Sequence, residues 1–159
     1  MTLIKDAAEE FLTARRIAVT GVSHAPHGHG SNAVYCRLRD RGYDVVPVNP
    51  NAPEAEGDPT FPDLSSVPDG VEAVVIGTRP EHALATMEEV VALGVPRVWM
   101  HRAFGGGSVS DEATAYGRDH GVTVIDGGCP LMFGETSDGG HRVMCHLLKL
   151  TGAVPRRVS

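Results

Sequence analysis

Ala73–Met100 reads AVVIGTRPEHALATMEEVVALGVPRVWM, and three features inside it decide the fold. Ala73-Val74-Val75-Ile76-Gly77 is short, apolar and β-branched without alternation, the pattern of a strand covered on both faces. Ala83, Met87, Val90, Val91 and Leu93 recur at roughly helical spacing within Glu81–Leu93, so one face of a helix is buried. Gly94 follows, where a glycine closes the last helical turn in the left-handed conformation, and Arg97-Val98-Trp99-Met100 then reads as a second strand. Strand, helix and strand in this order predict a parallel βαβ unit with a right-handed crossover.

The same grammar occurs twice more. Asn32–Arg41 is followed by Gly42 and Val45-Val46-Pro47-Val48, and Asp111–His120 by Gly121 and Val122-Thr123-Val124-Ile125. Arg39 and Arg41, and Arg118 and His120, sit in last turns where positive charge suits the helix dipole. Ile17-Ala18-Val19-Thr20-Gly21-Val22 supplies a further strand, and Leu3, Ile4, Ala7, Ala8, Phe11 and Leu12 form the apolar face of an extra N-terminal helix. A Rossmann-like open parallel sheet of about five strands flanked by helices is therefore expected. Residues 1–159 read as a single domain, with a core over about 15–130 and a C-terminal helical extension at 131–159. Within that extension Gly140–Leu150 reads as a helix, and the tail from Thr151 as irregular.

Composition narrows the function. The chain is 159 residues with 42 % apolar and 21 % charged residues, enough to bury a core. Fourteen Lys and Arg against twenty Asp and Glu leave −6, which argues against nucleic-acid binding. No apolar run approaches the ~20 residues of a membrane helix. Met1–Asp6, turning acidic at Glu9-Glu10, lacks the pattern of a secretory signal peptide, so a cytoplasmic protein is expected. Cys36, Cys129 and Cys145 form no CxxC pair, so neither a disulfide framework nor a cysteine-rich zinc site is indicated.

In such a sheet, ligands bind beyond the carboxyl ends of the strands. Those ends carry Ser23-His24, Val48-Asn49-Pro50, Thr78-Arg79-Pro80, His101-Arg102 and Asp126-Gly127-Gly128-Cys129-Pro130. The first loop, Gly21–Asn32, is the candidate phosphate seat, because Gly28, Gly30, Ser31 and Asn32 surround a helix start with free N–H groups. Gly28-x-Gly30-x-x-Ala33 matches a dinucleotide fingerprint, but it begins too far from the strand. Asn49-Pro50 stands where NAD would need a carboxylate for its ribose. His24, His27 and His29 could chelate a cation, yet they lack helical HxxxH spacing or a carboxylate partner, so no metal site is assigned. Cys129, Asp126 and His141 read as structural, and no catalytic residue is assigned.

Val19-x-Gly21-Val22-Ser23 followed by Gly42-Tyr43-x-Val45-x-Pro47-Val48-Asn49-Pro50 resembles the small stand-alone CoA-binding proteins, whose fold is that of the nucleotide-binding domain of the succinyl-CoA synthetase alpha subunit. Phe61-Pro62-Asp63-Leu64, Arg79-Pro80-Glu81, Val98-Trp99-Met100 and Tyr116-Gly117-Arg118 extend the resemblance from about Ile17 to Pro130. It implies coenzyme A, or an acyl-CoA, lying across the strand ends. Gly21, Val22, Ser23, Gly30, Ser31 and Asn32 would then face the pyrophosphate, and Asn49 and Pro50 would border the adenosine. Thr78, Arg79 and Pro80 would line the next stretch, with His101 near the pantetheine. The chain departs from many relatives at Gly30, where they carry Arg, at His101, where they carry Gln, and at Gly128, where they carry Arg. The phosphorylated histidine of the synthetase belongs to a second domain, and none is expected after Pro130.

The expected function is binding of a CoA-type small molecule without catalysis, in a sensing or accessory role toward an unidentified protein partner. The alternatives are a small nucleotide- or CoA-dependent transferase using Cys129 or His101, and a ligand-free interaction module.

Overall fold

The computed structural model describes residues 1–25, 30–102, 107–134 and 137–158. In chain order its elements are β1 (Thr2–Leu3), α1 (Ile4–Phe11), β2 (Arg16–Thr20), α2 (Gly30–Asp40), β3 (Asp44–Val48), β4 (Glu54–Ala55), β5 (Asp58–Pro59), β6 (Ala73–Ile76), α3 (Pro80–Ala92), β7 (Arg97–Met100), α4 (Asp111–Asp119), β8 (Thr123–Asp126), a 3-10 turn (Pro130–Met132), α5 (Gly139–Thr151) and β9 (Arg157–Val158). Five strands make one parallel sheet in the order β3-β2-β6-β7-β8. This is the expected Rossmann-like architecture, in the variant where the strand order reverses between β2 and β6.

The unalternating strands are explained by the layers. Ile17, Val19, Ala73, Val75, Trp99 and Ile125 face α1, α2 and α5, while Ala18, Val74, Ile76, Val98, Met100 and Val124 face α3 and α4. Both sets are buried, so the strands of this sheet are apolar on both faces through their middles. Trp99 anchors the first layer. Its ring meets Phe11 edge-on at 5.4 Å and Phe133 at 5.6 Å, and its indole N–H donates to the Gly127 carbonyl at 2.9 Å. In the second layer Gly117 lets α4 lie against α3, since a Cβ there would stand 2.7 Å from the Met87 sulfur.

Gly42, Gly94 and Gly121 all adopt positive φ, of 85°, 70° and 80°, after the three helices they were expected to end. Other boundaries differ. Leu3 belongs to β1 and is 52 % exposed, so the buried face of α1 is Ile4, Ala7, Ala8 and Phe11. The tail is not irregular: β9 pairs antiparallel with β1, matching Thr2 to Val158 and Leu3 to Arg157. Burial of Val154 and Val158 holds it there, and the Ile4 N–H donates to the Arg156 carbonyl at 3.1 Å. The C-terminal helix extends one residue beyond the expected Gly140–Leu150 at each end, with Asp138 capping it through the His141 N–H at 2.8 Å and Gly152 left-handed at its end. The His141 N–H and ring together hold the Asp138 carboxyl down at about 2. A hairpin, β4–β5, is additional to the expected elements; Glu56 and Gly57 form its turn at φ 50° and 83°.

Two substitutions separate backbone conformation from packing. Ala at Gly42, where nothing lies within 4 Å of the added Cβ, should cost only the left-handed strain of ~1–2 kcal/mol. Ala at Gly77, whose Cβ would stand 2.1 Å from the Ser31 hydroxyl and 2.6 Å from the Thr20 carbonyl, should cost as much or more through overpacking, ~1–3 kcal/mol. Urea unfolding checks both, and the packing origin of the second is tested by Ser31→Ala, which should relieve part of the Gly77→Ala loss.

Candidate functional site

The crossovers from β2 and β6 leave in opposite directions, and a cleft of about 930 Å³ opens at the carboxyl ends there. Its volume falls within the ~300–1,000 Å³ of ordinary small-molecule sites. Two glycines make the narrow end. Gly21, left-handed at φ 75°, would with any Cβ stand 2.7 Å from the Gly77 carbonyl oxygen. The Gly77 N–H donates to the Thr20 hydroxyl at 3.2 Å, and its carbonyl accepts from the Ser31 hydroxyl at 3.1 Å. The start of α2 is therefore pinned against the end of β6.

Of the expected site residues, Gly21, Gly30, Ser31, Asn49, Pro50, Thr78, Arg79 and His101 line this cleft. The others shape its walls. Val22 is fully buried, and Pro80 opens the first turn of α3. Asn32 is buried and acts as a staple: its side chain accepts from the Ser23 N–H at 2.8 Å and donates to the Ser23 carbonyl at 2.9 Å and Glu56 Oε1 at 2.8 Å. Glu56 belongs to the β4–β5 hairpin, so the hairpin holds Asn32 and, through it, Ser23. Asp58 fixes the hairpin in turn, accepting from the Tyr35 hydroxyl at 2.5 Å and from Arg39 at 2.6 Å. Those two partners hold the Asp58 carboxyl below its usual range.

Asn49 works similarly at the end of β3. Its Nδ2 donates to the Val22 carbonyl at 2.9 Å, and its Oδ1 accepts from the Asn51 N–H at 2.8 Å. Thr78 differs, because its buried Oγ1 has no hydrogen-bond partner among the described residues. Arg79 stands at the N-terminus of α3 with a side chain 82 % exposed, and its nearest carboxylate is Glu81 at 3.9 Å. His101 lies against Gly30, where a Cβ would stand 2.8 Å from the imidazole Cε1. Burial pushes its pKa down to about 4, so the ring is neutral at pH 7.

The sequence reading missed the other end of the cleft, formed by Asn51, Asp63, Leu64, His82, Thr86 and Glu89. Asp63 accepts from the Ser66 N–H at 2.8 Å and Glu89 from the Ser65 N–H at 2.8 Å, so both carboxylates brace the loop before β6. Pro62-Asp63-Leu64 carries no periodicity that points to a cleft. Gly28, His27 and His29 lie outside the described residues, and among the described residues no group of three metal-binding side chains occurs. Cys129 is buried at the end of β8, and burial pushes its thiol up to about 12. Asp126 is paired with Arg118 at 3.1 Å, and His141 with Asp138 at 2.9 Å.

The chain has known relatives. The protein YneT of Bacillus subtilis (strain 168) is 31 % identical over 112 residues, covering 70 % of this chain and 79 % of that one. A hypothetical protein from Pyrococcus horikoshii OT3 superposes with a TM-score of 0.69 at 28 % identity, over 77 % of this chain and 83 % of that one. The dinucleotide forming acetyl-coenzyme A synthetase 1 of Ca. Korarchaeum cryptofilum, in complex with phosphate and ADP, superposes with a TM-score of 0.57 at 25 % identity, over 70 % of this chain and 25 % of that enzyme. The model of the CoA binding domain matches residues 15–135, which span every strand end of the cleft. The chain belongs to the CoA-binding domain family.

Proposed function

We propose that the chain binds CoA or an acyl-CoA in the cleft between β2 and β6, and that it does so as a sensor or an accessory to a partner protein rather than as a catalyst by itself. The observation that carries this reading is the pinned start of α2. The first N–H groups of a helix have no partner within it, and they attract phosphate together with the helix dipole. Because the Ser31 hydroxyl is spent on Gly77, the diphosphate would be held by backbone N–H groups at Gly30 and Ser31, beside Gly21-Val22-Ser23. Arg79 would supply exposed positive charge from the next strand end, and the Thr78 hydroxyl, without a partner among the described residues, would supply a donor. Asn49 and Pro50 would border the adenosine. Neutral His101 would offer a hydrogen bond, not a counter-charge, on the pantetheine side.

The absence of chemistry in this proposal has its own support. The Cys129 thiol is buried and held protonated, the opposite of an activated nucleophile. His101 is too weak a base in its buried position to take a proton near pH 7. Similarity to a quarter of a named acetyl-coenzyme A synthetase fits a binding part of such machinery.

Calorimetric titration of nucleotide-free protein with CoA should give saturable heat, and Arg79→Glu should weaken it roughly tenfold without lowering stability, since residue 79 is the N-cap of α3 and negative charge suits a helix N-terminus. CoA at one hundred times its Kd should stabilise the fold by ~2.7 kcal/mol. A response to NAD or ATP with none to CoA would overturn the reading. Turnover of an acyl-CoA that is lost in Cys129→Ala would overturn the non-catalytic part.

His101 generates a separate pH dependence. Its folded pKa of about 4 lies below the ~6.5 of an unfolded histidine, so the unfolded chain binds more protons between those values. The stability of the neutral ring is fully present above pH ~6.5 and is lost as pH falls to about 4, by on the order of 3 kcal/mol. His101→Gln should flatten that part of the stability profile in urea titrations; an unchanged slope would contradict the buried neutral ring.

A further inference from the structure

Charge is distributed unevenly along the chain. All twenty acidic residues fall at or before Asp138, and residues 139–159 carry four arginines and lysines and no acid. The helix α5 lies in this basic stretch and outside the matched residues 15–135. It is firmly held, by the Asp138 cap, by the Arg37–Asp138 ion pair at 3.2 Å and by burial of Cys145 and Leu148. Its opposite side is not covered: Val143, Leu147 and Leu150 are 61 %, 55 % and 78 % exposed. Their spacing of four and three residues aligns them in one stripe.

Beside the stripe runs a band of Arg142, His146 and Lys149, and beyond the band a cavity of about 570 Å³ opens between α1 and α5. Met132 and Phe133 contribute its apolar lining, Lys5 its far rim, and Glu9 the one carboxylate among the described lining residues, itself 3.7 Å from Lys5. We propose that α5 is a docking surface for an acidic amphipathic segment of a partner protein, whose apolar side covers Val143, Leu147 and Leu150 and whose carboxylates meet Arg142, His146 and Lys149. An apolar side chain of that segment enters the neighbouring cavity.

The choice of occupant follows from charge and shape. In a two-fold antiparallel pairing of α5 with a second copy, the same flanks of the two helices meet, and the basic band would face itself. A flat lipid surface would leave the cavity unfilled, and the stripe has no aromatic side chain of the kind that anchors an interfacial helix. An acidic segment satisfies both stripe and band. This surface lies away from the CoA cleft, so the two proposals stand or fall separately.

The test uses the full chain and a synthetic helical peptide with leucines at i, i+4 and i+7 flanked by glutamates. A second peptide has lysines in place of the glutamates, and phosphatidylcholine–phosphatidylserine vesicles and sedimentation complete the set. The acidic peptide should bind saturably at one to one, more weakly at higher salt. Leu147→Gln with Leu150→Gln should weaken it at least tenfold with the melting temperature and helical circular dichroism unchanged, since both side chains are exposed. Absence of binding, equal binding of the basic peptide, or indifference to the double substitution would overturn the proposal. Vesicle binding without peptide binding would reassign α5 to lipid, and a dimer abolished by the double substitution would reassign it to a second copy; either result also overturns the proposal.

Discussion

The peptide of Gly77 is grasped from two sides. Thr20, the last residue of β2, accepts its N–H, and Ser31, in the first turn of α2, donates to its carbonyl. The Ser31 contact in this form requires that residue 77 lack a side chain, because a Cβ would occupy the place of the Ser31 hydroxyl and crowd the Thr20 carbonyl. Gly21 meets the same requirement from the opposite side, and its own N–H is taken by the Val48 carbonyl at 3.0 Å. Three strand ends and one helix start are thus tied within a few hydrogen bonds. The direction of α2, the width of the cleft and the position of His101 against Gly30 all follow from that approach.

An acidic chain that belongs to a family of CoA-binding domains faces an electrostatic problem, since CoA is a polyanion. Among the described residues lining the cleft, Arg79 is the only arginine or lysine, and His101 is kept neutral by burial. In the proposed binding mode, backbone dipoles would therefore carry more of the attraction than side-chain charges, and they would cost no reorganisation on binding. The carboxylates at the far end brace loops through Ser65 and Ser66, which keeps them committed to N–H groups in place of the ligand. The hairpin acts at one remove: Glu56 holds Asn32, and Asn32 holds Ser23 just beyond the end of β2 without a basic side chain.

Most of the fold could be read from residues because its causes are local. A helix that ends on Gly42, Gly94 or Gly121 and a strand buried on both faces each leave a mark within a dozen positions. The strand ends followed from topology, so Gly21, Ser31, Thr78 and Arg79 could be named in advance. What escaped depends on distant partners. Gly77 read as the close of a strand, and only its encounter with Gly21 and Ser31 gives it a role. Ser31 and Asn32 read as ligand-facing, yet their side chains are turned to Gly77, Ser23 and Glu56. Arg157-Val158 is too short to announce a strand, and it becomes one because β1 lies beside it. The turn at Glu56-Gly57 had a local signal, a glycine between polar residues, but no apolar alternation flanked it.

The central claim is that CoA sits where Gly77 draws α2 against the sheet, and amide chemical-shift mapping with labelled protein tests it directly. Addition of CoA should move the backbone amides of Gly21–Ser23, Gly30–Ser31 and Thr78–Arg79 together along one saturation curve, leaving α5 unmoved. Shifts confined to Lys5, Arg142 and Lys149 around the other cavity, or no saturable shift at all, would contradict it.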